Sequence, residues 1–108
     1  MFPPHNFFIV STRGFLDELT REQQAMIYTL TTTHIKPECD FFVFDPCTQR
    51  SRPFSEDEGR TIHYPMPSLP KKVYAKLDDY GTKEALSGSV GHPVNTRYVL
   101  TFMLAEDY

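Results

Sequence analysis

His34, Cys39, Cys47 and His63 are side chains of the types that ligate transition metals, and they run His-x4-Cys-x7-Cys-x15-His. Four such ligands suit a closed tetrahedral zinc site. Compact zinc sites, however, hold their paired ligands two to five residues apart. Cys39 opens an expected strand and Cys47 follows it, which separates the thiols by roughly 25 Å in an extended chain. Shared ligation is not expected, and neither a metal nor another cofactor is assigned.

Acid–base and nucleophilic chemistry have their own candidates. Asp40 and Asp45 bracket a Phe-rich stretch, and carboxylates at strand ends can bind Mg²⁺ or shuttle protons. Cys47 lies in a polar segment, with His63 and His92 available as bases, although no Gly-x-Ser-x-Gly elbow accompanies any of them. A small hydrolase-type enzyme using Asp40, Asp45, Cys47 or His63 is therefore one reading. The turn-forming character of Asp45-Pro46 and the usual burial of free cysteines weigh against it. Phosphate-binding glycine motifs are absent, and Gly88-Ser89-Val90-Gly91 reads as a plain loop.

Nucleic-acid binding draws on clustered Lys and Arg. This chain has 11 basic and 14 acidic residues and a net charge of −3. Residues 1–54 hold five basic and six acidic side chains, and residues 55–108 hold six and eight, so neither half is a basic module. Aromatic strands that stack bases are conceivable in Phe7-Phe8 and Phe41–Phe44. The glycine-bearing basic motif of RNA-recognition domains is missing, and the patch Gln49-Arg50-Ser51-Arg52 is diluted by Asp40, Asp45, Glu56 and Asp57. A single-stranded nucleic-acid binder is a third, disfavoured reading. Apolar stretches reach only four residues, against the roughly 20 that span a bilayer, so no membrane association is expected. Met1–Asn6 lacks a basic region and a signal-peptide core, and two cysteines are too few for a disulfide scaffold. A cytoplasmic setting follows.

The elements that must position these residues form a single domain over 1–108. Residues 6–12 read as a strand. Thr20 and Gln23 form a capping box that opens a helix over about 21–33, after a turn at Phe15–Leu19. A second strand spans 39–44, and a long, Pro-rich polar loop follows at about 46–59. Arg60–Tyr64 is a short third strand. Ser68 can cap a second helix over 69–80, in which Leu69, Val73, Leu77 and Tyr80 recur at helical spacing and Gly81 supplies the stop. Residues 87–95 read as loop and 96–105 as the last strand. The order β-α-β-β-α-β predicts an α+β, ferredoxin-like antiparallel sheet with two helices on one face.

Three strands lack a polar side. Phe7 and Ile9 alternate with Phe8 and Val10. Phe41 and Val43 alternate with Phe42 and Phe44, and Leu100, Phe102 and Leu104 alternate with Val99, Thr101 and Met103. Two helices cover one face only, which leaves a second apolar face of the kind that marks interaction surfaces. Either the 46–70 segment folds over it as a lid, or another protein or a second copy of the chain does. The expected function is a non-catalytic protein–protein interaction module, such as an inhibitor, adaptor or assembly subunit. Phe8, Phe42, Phe44 and Met103 are its expected anchors, with Arg50 and Arg52 in the adjoining loop.

Overall fold

A computed structural model describes residues 7–108 of the chain. Met1–Asn6, which include the segment read as lacking a signal-peptide core and the start of the expected first strand, lie outside the described residues. In chain order the elements are β1 (Phe8–Ser11), α1 (Arg13–Glu18), α2 (Arg21–His34), β2 (Phe41–Asp45), β3 (Phe54–Glu56), β4 (Thr61–Pro65), β5 (Val73–Asp79), α3 (Lys83–Val90) and β6 (Tyr98–Leu104). Together they make an α+β domain with a six-stranded mixed sheet and three α-helices among the described residues.

Local chemistry explains the helix starts. Thr12 and Thr82 each accept a hydrogen bond from the backbone three residues on and so open α1 and α3. At α2 the capping box is complete. The Thr20 hydroxyl accepts from the Gln23 amide at 3.1 Å, and the Gln23 side chain accepts from the Thr20 amide at 2.9 Å. Gly91, at φ 82°, ends α3 in the left-handed conformation that glycine adopts without strain.

The sheet order is β1-β6-β5-β2-β4-β3, with β1·β6 and β2·β4 parallel and the other neighbours antiparallel. This corrects the ferredoxin-like antiparallel arrangement: two pairs are parallel, residues 54–56 add an edge strand within the expected loop, and an expected helix is largely a strand. Residues 73–79 are a strand instead of the second half of a helix, and β5 inserts between β2 and β6 in mid-sheet. Val73, Ala75 and Leu77 are buried on one side, and Tyr74 and Lys76 alternate with them at period two. The spacing of Val73 and Leu77 satisfies a helix equally well, and pairing on both edges decides for the strand. The helix of this region lies later, at Lys83–Val90: it begins where residues 82–86 offer one further turn and runs on through residues 87–90, expected as loop.

The core occupies the face under α1 and α2. Phe42 and Phe44 of β2, Val73 and Ala75 of β5 and Leu100, Phe102 and Leu104 of β6 meet Phe15, Leu19, Ile27 and Ile35 there. Tyr64 stacks on its cross-strand neighbour Phe44, with ring centroids 5.3 Å apart at 10°.

Most of the Pro-rich segment is built into the sheet and the core, and Arg50 reaches the second face at Phe54. Residues 54–56 extend the sheet as β3, and beyond β4 the chain turns toward the helices, where Met66 and Leu69 join the core. Gln23 of α2 holds this passage by donating to the Ser68 carbonyl at 2.9 Å.

Candidate functional site

Strand register defines what the other face of the sheet presents. One row crosses it as Phe54, His63, Val43, Tyr74 and Met103, from β3 to β6. The next row is Glu56, Thr61, Phe41, Lys76, Thr101 and Val10, ending on β1. Neither α1 nor α2 packs on this side, because their core partners are the residues of opposite parity.

Two aromatic groups dominate the surface. Phe41 and Tyr74 lie 5.0 Å apart, and Tyr108 closes a triangle with edge-on contacts at 6.2 and 5.7 Å. Phe41 and Tyr74 are partly exposed and Tyr108 is 71% exposed. Lys76 reaches over the Tyr108 ring at 5.6 Å and also pairs with Asp78 at 3.5 Å. Toward β3, the Phe54 ring stacks on His63 at 4.6 Å, and the Arg50 guanidinium lies over Phe54, 4.3 Å from the ring centroid. His63 Nε2 meets Glu56 at 2.5 Å. The rim is charged and mixed in sign, with Asp40–Arg60 at 3.2 Å and Asp45–Lys72 at 3.9 Å.

The residues expected as interface anchors separate across the two faces. Phe42 and Phe44 have 0% exposure beneath the helices, and a ring without accessible surface cannot touch a partner, so both are corrected from anchors to core. Met103 does lie on the open face but is 7% exposed, opposite the larger Tyr74. Phe8 lies on that face too, half-buried, with its ring 6.0 Å from His92. Arg50 lies on Phe54, and Arg52 is exposed in the loop. The surface aromatics that sequence reasoning left out of the site are Phe41, Tyr74, Phe54 and Tyr108. Tyr74 had a signal in the Val73/Ala75/Leu77 alternation, which points it outward.

The four side chains considered for catalysis do not converge. Asp40 and Asp45 flank opposite ends of β2, about 16 Å apart at the rise of a strand. Asp45 caps the following turn by accepting from the Cys47 amide at 2.8 Å. Cys47 is an exposed free thiol, and His63 is taken by Glu56 and Phe54. Cys39 is buried in the core, and burial pushes its thiol pKa up, which suppresses the nucleophilic thiolate. Burial likewise raises the Tyr64 phenol. Among the described residues no group of three or more His, Cys, Asp or Glu side chains lies close enough together to hold a metal ion. Nor is any described helix long and apolar enough to cross a membrane. Comparison with family models, curated proteins and solved structures gave no match.

Proposed function

We propose that the chain is a non-catalytic protein–protein interaction module that docks another protein on its open sheet face. The observation that carries this reading is the partly exposed cluster of Phe41, Tyr74 and Tyr108 on the face opposite α1 and α2. Aromatic rings at the centre of a surface with a charged rim have the anatomy of a separable interface. Asp40, Arg60, Lys76, Asp78 and Glu56 form that rim. A different protein is favoured over a second copy because permanent homodimer interfaces are more uniformly apolar than this one. A cytoplasmic setting belongs to the same reading, supported by two free cysteines, which persist as thiols in a reducing compartment.

The test is cross-linking from the open face after capture from the native source, using photo-reactive groups placed at Thr101 or at Thr61. Adducts to one other protein at both positions support the proposal. Adducts only to a second copy, or none, overturn the choice of partner.

The Phe54 ring, stacked on His63 and capped by the exposed Arg50 side chain, favours one other occupant, an unpaired base that stacks on Phe54 in place of the Arg50 guanidinium. Glu56, Asp57 and Glu58 at the same edge repel phosphate, which ranks this reading second. A salt-sensitive anisotropy change with a labelled oligonucleotide, lost in Phe54→Ala, would favour it.

A further inference from the structure

The two edges of the sheet are built differently. β3 is three residues long, follows Pro53, carries Glu56 and runs into a turn at Asp57–Gly59 with left-handed backbone at all three residues. Those features discourage another strand from adding there. β1 has none of them. It is Phe8-Ile9-Val10-Ser11, without proline or charge, and both Ile9 and Val10 are more than a third exposed. Among the described residues nothing pairs with its outer side.

The Thr12 amide donates to the Phe102 carbonyl at 3.0 Å on the β6 side. By the alternation of a strand, the N–H and C=O groups of Ile9 and Ser11 therefore point to the free edge. The side chains of the same two residues line a groove of about 290 Å³ between β1 and α2. Its walls are Phe15 and Tyr28, each near the Phe102 ring at 5.6 and 6.0 Å. Arg21 also lines it, and no carboxylate does. Among the described residues the guanidinium groups of Arg21 and of Arg13, two residues past the strand, have no carboxylate partner.

We propose that the outer edge of β1 is a second docking site, which takes an extended peptide segment from a partner protein as an added strand, with apolar and acidic residues two positions apart so that both fall on its helix-side face. The backbone of Ile9 and Ser11 would supply hydrogen bonds, the groove an apolar pocket, and Arg21 the charge that selects an acidic side chain. A second copy of the chain is a poorer occupant, since its own β1 carries no carboxylate for the arginines. This inference does not depend on the open-face reading, because the groove lies on the helix side of the sheet.

The test uses the full chain and two capped, fluorescent octapeptides in which every second residue is Val and Glu in turn, or Val and Lys in turn, with Thr between, so that both types share one face of the strand. Anisotropy reads binding and amide hydrogen exchange reads its location. The chain's net charge of −3 draws the Lys peptide non-specifically, so a preference for the Glu peptide is diagnostic. The expected result is saturable binding of the Glu peptide, slowed exchange at Ile9 and Ser11, and affinity about tenfold weaker in Arg21→Glu. Ile9→Lys, at a position 42% exposed and therefore tolerant of substitution, should also weaken binding, whereas Tyr74→Ala should leave it unchanged. Equal affinity for the two peptides, or unchanged affinity in Arg21→Glu, overturns the proposal. So does protection of the edge that appears with rising protein concentration alone.

Discussion

Replacing Phe44 by Ala removes a ring that has no accessible surface and stacks on Tyr64 at 5.3 Å. Truncating such a residue costs about 3–5 kcal/mol, because the lost transfer energy is joined by an unfilled cavity. Phe41, three residues earlier on the same strand, points to the other side. It is partly exposed and its main ring contacts are Tyr74 and Tyr108. An aromatic pair contributes about 0.5–1.5 kcal/mol beyond area, so with its smaller burial Phe41→Ala should cost about 1–2 kcal/mol. For 108 residues the total stability is of order 5–15 kcal/mol, and the two variants should therefore differ visibly in one experiment. Urea unfolding followed by far-UV circular dichroism is the assay, with the m-value required to stay constant so that midpoints compare stability alone. The expected gap is about 1–4 kcal/mol, which at its middle is roughly 10 °C or more in melting temperature for a domain of this size. Equal costs for the two substitutions would refute the assignment of faces, and with it the choice of Phe41 instead of Phe44 as a surface residue.

Other substitutions test single features. Thr31 is fully buried in α2 with a hydroxyl that has no hydrogen-bond partner, so the isosteric Thr31→Val should stabilise the fold by about 1 kcal/mol, read as a higher urea midpoint. At Gly14 an added Cβ would stand 2.6 Å from Asp107 Oδ2 and 2.9 Å from Leu104 Cδ1, so Gly14→Ala should destabilise by about 1 kcal/mol. Gly88 in α3 has open space around it, and Gly88→Ala should instead stabilise by about 0.5–1 kcal/mol; equal signs for the two glycines would contradict the packing of α1 on the chain end. Iodoacetamide at neutral pH should modify Cys47 and spare Cys39 until denaturant is added, as mass spectrometry would show. The raised folded pKa values of Cys39 and Tyr64 mean that the unfolded chain loses these protons first. Their stabilisation is complete at neutral pH and declines as pH climbs past 9.0, which unfolding midpoints across alkaline pH would measure.

What the sequence revealed depended on whether a segment's local signals had a single solution. Thr20 and Gln23 left one solution, and α2 begins where they place it. The Phe-rich run of β2 and the apolar stretch of β6 are also strands within two residues of the expected limits. Val73, Leu77 and Tyr80 had two solutions, since residues four and three apart share a helix face while 73, 75 and 77 share a strand face. Only pairing with β2 and β6, distant in sequence, chose between them. α3 was obscured because Ser87, Gly88 and Ser89 are weak helix formers, although Thr82 and Gly91 do mark its ends. The candidate site suffered from the same ambiguity. Alternation correctly separated Phe41 and Val43 from Phe42 and Phe44, but nothing local states which set the helices cover. Tyr74 and Phe54 became visible as surface residues only once β5 and β3 took their places in the sheet.

The central claim is that the open face, with Tyr74 at its middle, is where another protein docks. The most direct measurement is the affinity of a partner captured from the native source for the wild-type chain and for Tyr74→Ala. Loss of a central interface aromatic costs about 2 kcal/mol or more, so the account predicts binding weakened about 30-fold or beyond, in a variant whose unfolding midpoint shows it still folded. Affinities within twofold of each other, or a set of captured proteins identical for both chains, would contradict it.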